Sequence, residues 1–140
     1  MIRGRIARAF TLIELLVVLV ILAVLAAIVV PGYVGRVEKA RRDTTIAEIS
    51  NYKSALAAFE VDNGRFPATL EGLNALVQCP QDCVATWSGP YIESIKPDKW
   101  GREYSFTSPG IKDPRTYDLI SAGKDGEFGT EDDVDKDTVN

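Results

Sequence analysis

The sequence contains no histidine and only two cysteines, Cys79 and Cys83. A structural zinc ion takes four cysteine or histidine ligands, so these two residues do not make a zinc site on their own. The missing histidine also removes the commonest general base, and no serine lies in a nucleophile motif. We therefore expect this chain not to be an enzyme.

Acidic residues outnumber basic ones once the first nine positions are set aside. Removing Arg3, Arg5 and Arg8 leaves 13 basic and 20 acidic side chains, a balance of −7. Such a chain does not attract phosphate groups, so we expect no nucleic-acid partner. The residues that follow the first thirty are enough for one small domain and exclude a second core.

One apolar run, residues 10–30, carries a single charge at Glu14. As a helix its 21 residues span about 30 Å, which matches the hydrocarbon core of a bilayer. The basic residues before it favour a cytoplasmic N-terminus and place the chain from residue 31 onward across the membrane. An acid inside a membrane segment needs a partner or a proton, which makes Glu14 a functional candidate. The alternative is that Glu14 lies near one end of the span and reaches the headgroups.

An ordinary secretory signal has a similar charged start, with cleavage after its apolar stretch. Here the apolar run is longer than a usual signal core and contains an acid. No small-x-small cleavage site follows it before Pro31 and Gly32. We expect the run to be retained in the mature protein.

Residues 8–16 read Arg-Ala-Phe-Thr-Leu-Ile-Glu-Leu-Leu and resemble the class III signal of type IV pilins and type II secretion pseudopilins. The resemblance implies that a prepilin peptidase removes a leader of residues 1–9 by cutting between Ala9 and Phe10, and that Phe10 is then N-methylated. It also implies that Glu14 of one subunit pairs with the Phe10 amine of a neighbour during assembly, which offsets the desolvation of both charges. Ala9 departs from the usual Gly, so we expect slower cleavage.

The pattern beyond the apolar run predicts that the same helix continues to about Asp62. Pro31 and Gly32 should bend it. Asn63 and Gly64 suit a left-handed helix end. Apolar residues at spacings of three or four form one buried face: Val34, Val37, Ile46, Ile49, Tyr52, Leu56 and Phe59. The charges between them are assigned to the solvated face: Arg36, Glu38, Lys39, Arg41, Arg42, Asp43, Glu48, Lys53 and Glu60.

The second half of the chain has weaker signals. We expect a short helix over Thr69–Val77 with Thr69 as its N-cap. Two strands, over 104–107 and 117–121, should pair antiparallel and pack against the long helix. Six aromatic residues are expected to form the core beneath them: Trp87, Tyr91, Trp100, Tyr104, Phe106 and Tyr117.

Cys79 and Cys83 lie in this half, on the far side of the membrane from the cytoplasm. In that compartment a disulfide between them is expected. The loop that it closes is small, so it would shape this turn more than it stabilises the fold.

The C-terminal segment is strongly acidic, with seven acids and one base, Lys136, between Asp125 and Asp137. Glycines interrupt the acids up to residue 134 and predict a tightly turned loop with oxygen ligands of the kind that calcium takes. An EF-hand does not fit, because Thr130 stands where that loop needs glycine and Lys136 stands where it needs the closing glutamate. Residues 135–140 are expected to form a disordered tail.

Five further segments resemble type II secretion major pseudopilins: 63–67, 70–77, 89–92, 100–104 and 117–126. The resemblance implies the α+β, type IV pilin-like fold. In that fold a long N-terminal α-helix, half hydrophobic and half amphipathic, packs on a small C-terminal antiparallel β-sheet with a calcium loop. The implied layout is a cleaved leader (1–9), a transmembrane or filament-core segment (10–30), a periplasmic domain (31–134) and the acidic tail (135–140).

The same resemblance implies that the cofactor is Ca²⁺. Its side-chain ligands would be Asp125 and Asp132 or Asp133. Backbone carbonyls near Ala122 and Phe128 would complete the shell.

The function implied is that of a structural subunit in the inner membrane, single-pass, which polymerises into a homo-oligomeric periplasmic filament and drives export of folded proteins across the outer membrane. The implied partners are a prepilin peptidase, an inner-membrane assembly platform, minor pseudopilins and a secretin. Two alternatives stay open. One is a type IV pilin of a surface filament used in adhesion, motility or DNA uptake. The other is a monomeric membrane-anchored calcium-binding module or enzyme.

Overall fold

The computed structural model describes residues 10–138, apart from the side chains of residues 29–32. The predicted leader, with Ala9, and the last two residues of the predicted tail lie outside this range. The chain divides into two compact units between Val37 and Glu38.

Helix α1, Leu12–Asn63, confirms the predicted single long helix and remains helical through residues 31 and 32. It ends where Gly64 takes a positive φ of 71° and donates its N–H to the Glu60 carbonyl at 2.7 Å. A left-handed residue of this kind suits glycine because no Cβ opposes it. The end of the helix is therefore where the sequence predicted it.

In the first unit, every side chain from Phe10 to Ile28 is exposed. Among the described residues, α1 is the one helix long and apolar enough to cross a membrane, with a mean hydropathy of 3.3 in its apolar part. Apolar surface of this extent is not stable in water alone. It needs lipid or other protein chains around it.

The second unit is built on three short antiparallel strands: β1 (Ser105–Thr107), β2 (Asp118–Ser121) and β3 (Val134–Asp135), in that order across the sheet. The central strand contributes Leu119, and β3 contributes Val134. Both are fully buried in a core cluster that also contains Leu56 and Phe59 of α1. These side chains form one core, which fixes the sheet on the helix.

The predicted aromatic core is confirmed in five of its six members. Tyr117 is buried in the core, and Trp87, Tyr91, Tyr104 and Phe106 pack against it. Trp100 is the exception, because it does not pack against this core; its ring nitrogen instead donates to the Glu38 carboxylate at 3.1 Å.

The predicted helix over Thr69–Val77 is shorter and tighter in the structure, a 3-10 helix over Gly72–Leu76. Thr69 does not cap it. The hydroxyl of Thr69 instead donates to the Ser108 carbonyl and accepts from the Ser108 N–H, both at 2.9 Å. Gly72 has a positive φ of 57°, which no residue inside a right-handed α-helix takes, so an α-helix does not run from Thr69 through Gly72.

Strand β3 was not predicted, and it lies where the sequence suggested the start of a disordered tail. Asp135 pairs with Ile120 of β2, and its carboxylate binds Lys112 at 2.7 Å. Its Oδ1 also accepts from the N–H of Thr138 at 2.9 Å. For the described residues 135–138 the tail is therefore replaced by a strand and a turn, because Lys112 compensates an acid that the local sequence leaves unpaired.

Candidate functional sites

The start of α1 is a capping box formed by Thr11 and Glu14. The Glu14 N–H donates to the Thr11 hydroxyl at 3.3 Å, and Glu14 Oε2 lies 3.5 Å from both the N–H and the hydroxyl of Thr11. A carboxylate here satisfies an otherwise free N–H and suits the positive end of the helix dipole. The T-x-x-E pattern that signals this cap is in the sequence, although Thr11 was not among the candidate residues. Phe10 precedes the cap and is 80% exposed.

Asp132 organises the acidic loop from the inside. Its Oδ2 accepts from the N–H groups of Lys124 at 2.6 Å and Asp125 at 3.0 Å, and its Oδ1 accepts from the Thr130 hydroxyl at 2.7 Å. The hydrogen bonds from Thr130 and from the Asp125 backbone hold the pKa of Asp132 well below its usual range. This carboxylate therefore stays charged.

Asp133 has one satisfied and one unsatisfied oxygen. Its Oδ2 accepts from the Gly129 N–H at 2.7 Å, whereas its Oδ1 is buried and has no hydrogen-bond partner. A buried carboxylate oxygen without a partner is costly. A bound cation would satisfy it, so this part of the loop fits the calcium site that the sequence resemblance implies.

The other predicted calcium ligands are arranged less tightly. The side chain of Asp125 is exposed and accepts from the Glu127 N–H at 2.9 Å. Within residues 10–138, no group of three or more acidic, cysteine or histidine side chains converges on one point. Ala122 is buried and its carbonyl accepts from Gly126, while the Phe128 side chain is 57% exposed. A cation in this loop would need backbone carbonyls beside one or two carboxylates.

Four charges assigned to the solvated face of α1 instead contact the domain, among them Glu38, whose carboxylate accepts from the Trp100 ring nitrogen. Arg42 donates to the carbonyls of Asp132 at 3.0 Å and Asp133 at 3.4 Å, so it holds the end of the acidic loop. Lys53 donates to the Lys136 carbonyl at 3.2 Å. Glu48 binds Lys99 and accepts from the Tyr104 hydroxyl at 3.0 Å. Their partners lie 51 to 91 positions away in the sequence, so helical periodicity gives no signal of these contacts.

Cys79 and Cys83 are not joined in the structure. Cys79 is exposed, whereas Cys83 lies in the core with its sulfur 3.3 Å from Arg65. Burial raises the pKa of the Cys83 thiol. Arg65 also binds the carboxylates of Glu71 at 2.8 Å and Asp82 at 2.6 Å, which holds this turn against the 3-10 helix. The disulfide stays a prediction.

Comparison with known proteins links these features to one family. The family model described as type II secretion system, protein G, matches residues 32–140, and the model of the prokaryotic N-terminal methylation motif matches residues 4–30. The type II secretion system core protein G of Escherichia coli (strain K12) is 42% identical over 130 residues, covering 91% of this chain and 88% of that protein. The protein of the same name from Aeromonas hydrophila is 41% identical over 128 residues, covering 89% and 88%.

The similarity to this family extends to the three-dimensional fold, as one solved structure shows. The crystal structure of the major pseudopilin from the type 2 secretion system of enterohaemorrhagic Escherichia coli is 33% identical, with a TM-score of 0.62. The match covers 75% of this chain and 93% of that chain. It confirms the predicted α+β, type IV pilin-like fold.

Proposed function

This chain belongs to the type II secretion system protein G family, and we propose that it is the structural subunit of a type II secretion pseudopilus. The observation that carries the proposal is the joint match of two family models, which cover the N-terminal methylation motif and the whole domain behind it. A surface type IV pilin accounts for the first match and not for the second. The proposed role is non-catalytic.

The chain is membrane-anchored through the apolar part of α1. We place the anchor in the inner membrane and the domain in the periplasm, with lipid around residues 10–28 before assembly and neighbouring subunits around them afterwards. The exposure of every described side chain from Phe10 to Ile28 supports both environments. Assembly would involve a prepilin peptidase, an inner-membrane platform, minor pseudopilins and a secretin.

We propose that cleavage between Ala9 and Phe10 frees the Phe10 amine, which is methylated and pairs with Glu14 of a neighbouring subunit. The Glu14 carboxylate already lies beside the N–H of Thr11, one residue from that amine. An ion pair between subunits would offset the cost of burying both charges in a filament core. The capping role and the pairing role place different demands on Glu14, and variants can separate them.

We also propose one calcium ion in the acidic loop, held by Asp125 and by Asp132 or Asp133, together with carbonyls near Ala122 and Phe128. The buried, unpartnered Oδ1 of Asp133 supports it. When bound, calcium would supply two positive charges to a segment in which carboxylates otherwise repel one another.

The test compares Glu14→Ala, Glu14→Gln and Thr11→Ala in cells that carry the secretion system. Glutamine also completes a capping box but has no charge, whereas Thr11→Ala removes the cap and keeps the acid. We expect leader removal in all three, filaments with Thr11→Ala, and none with either Glu14 variant. Electron microscopy of filaments and mass spectrometry of the mature N-terminus measure these outcomes.

Normal filaments from Glu14→Gln would rule out the proposed pairing of Glu14 with the Phe10 amine, because an uncharged capping residue would then be sufficient for assembly. An intact Met1 in the mature protein would exclude the cleavage site. If deleting this chain removed a surface filament while export of folded proteins stayed normal, the type IV pilin alternative would replace the present proposal.

A further inference from the structure

Arg102 extends from the turn before β1 into the acidic loop. Its Nη1 donates to the Gly123 carbonyl at 2.6 Å and to the Lys124 carbonyl at 3.3 Å, and its Nη2 lies 3.4 Å from the same Lys124 oxygen. Charged donors make the stronger class of hydrogen bond. The guanidinium therefore fixes two consecutive carbonyls on the first limb of the loop.

The guanidinium of Arg102 occupies space beside Gly126 that is open only because this residue has no side chain. A Cβ added at Gly126 would lie 2.4 Å from Cζ of Arg102 and 2.5 Å from its Nη2. Real Cβ atoms do not approach so closely, so any side chain at Gly126 would push the guanidinium away. Gly126 also has a positive φ of 78°, which suits the same turn.

The backbone of Arg102 is held in turn by the buried carboxylate of Asp98, which is 4% exposed. Asp98 Oδ1 accepts from the Arg102 N–H at 2.8 Å, and its Oδ2 accepts from the Ser121 hydroxyl at 2.6 Å. The same hydroxyl accepts from the Gly123 N–H at 3.3 Å. Gly123 is thus held through its N–H by Ser121 and through its carbonyl by Arg102.

We infer that Arg102 is a positioning residue for the acidic loop, which orients the Gly123–Gly126 backbone so that the loop keeps its cation-binding shape before the ion arrives. The inference rests on the calcium proposal for the ligand, while the hydrogen bonds that carry it do not involve the ion. Arg42 holds the other limb through Asp132 and Asp133. Both arginines bind carbonyls of the loop and not its carboxylates.

A positive charge near a cation site has two opposite effects. As a charge, Arg102 repels calcium, so its removal should tighten binding. As a positioning group, Arg102 orders the loop before the ion binds, so binding costs less conformational entropy. Its removal should therefore weaken binding. The sign of the change therefore separates a positioning role from a purely electrostatic one.

The experiment uses the full mature chain in detergent, with calcium binding followed by titration calorimetry. We expect Arg102→Ala to weaken binding about tenfold, the loss typical of one charge-assisted hydrogen bond. Arg102→Lys should also weaken it, because lysine keeps the charge but lacks the planar fork. Arg115→Ala is the matched control, since Arg115 is exposed and binds only Asp113 among the described residues.

A second measurement does not need the ion. In chelator, hydrogen exchange at the amides of Lys124, Asp125 and Gly126 should rise about tenfold in Arg102→Ala and stay unchanged in the control. Gly126→Ala should resemble Arg102→Ala, and the double variant should fall short of the sum of the two because both act at one contact.

Unchanged or tighter calcium binding by Arg102→Ala, or unchanged exchange in chelator, would overturn the inference. A wild-type chain that takes up no calcium at all would instead remove the metal from the proposed function. In that case the exchange measurement still judges whether Arg102 positions the loop.

Discussion

Tyr91 donates its hydroxyl hydrogen to the carboxylate of Asp62 at 2.8 Å and so joins a long irregular loop to the last turn of α1. The same oxygen accepts from the side-chain amide of Asn63 at 3.3 Å and the N–H of Ser88 at 3.2 Å. Its ring packs edge-on against Phe59, with centroids 5.6 Å apart. One side chain thus combines a polar contact with a core contact.

Replacing Tyr91 with phenylalanine should separate these contributions. Tyr91→Phe keeps the ring and removes the hydroxyl, so we expect the free energy of unfolding to fall by about 1 kcal/mol. Tyr91→Ala should cost about 3 kcal/mol or more, because the ring contact is also lost. Urea unfolding followed by tryptophan fluorescence measures both. Equal losses from the two variants would show that the hydroxyl, and not the ring, carries the stabilisation.

Removing calcium should loosen the acidic loop. We expect a chelator to lower the melting temperature and increase proteolysis after residue 121, because the carboxylates lose their counter-charge. Asp125→Ala should have the same effect without chelator, and chelator should then change little more. Glu131→Ala is the control, as an exposed acid of the same loop outside the proposed ligand set. A wild-type melting temperature that is the same with and without chelator would contradict the metal proposal.

Acid should weaken the attachment of β3. Burial opposes ionisation of Asp135, but hydrogen bonds from Lys112 and Thr138 outweigh it and lower the pKa of this carboxyl to about 2 from an ordinary value of 3.8. A lowered pKa means that the stabilisation is complete above about pH 4 and disappears as the pH falls towards 2. The stability difference between wild type and Asp135→Asn should therefore shrink over that interval. A difference that stays constant from pH 6 to pH 2 would argue against this assignment.

The two cysteines should react very differently in the reduced protein. Cys79 is exposed, while Cys83 is 3% exposed and burial raises its pKa, so alkylation should label Cys79 first and Cys83 only after unfolding. Intact mass of the mature protein isolated from cells without reductant tests the disulfide, which removes two hydrogens. If both cysteines of that sample are fully alkylated after unfolding without reductant, the disulfide is ruled out.

The sequence was most informative where one signal decides one structure. The apolar run and the three-to-four spacing predicted α1, and Asn63 with Gly64 predicted its end. Both depend on local chemistry, since periodicity sets the buried face and only glycine takes the left-handed cap at low cost. The match to the fold of a solved pseudopilin confirms the architecture built on them.

The failures concern contacts between distant parts of the chain. Arg41 and Arg42 are neighbours of the same type, yet Arg41 pairs with Glu38 on its own helix while Arg42 reaches carbonyls 90 positions away. Nothing in the local pattern distinguishes them. Strand β3 was missed for the same reason, since its two residues pair only because β2 and Lys112 are in place.

The exposed apolar side chains from Phe10 to Ile28 affect how subunits reach a growing filament as well as how stable each subunit is. A subunit whose apolar segment stays in lipid until other protein chains cover it diffuses in the plane of the membrane. The rate at which such subunits reach a growing filament then depends on their number per area of membrane and on lateral diffusion, not on a concentration in the surrounding fluid. Growth would slow when the membrane is depleted of subunits, even while the cell continues to synthesise them.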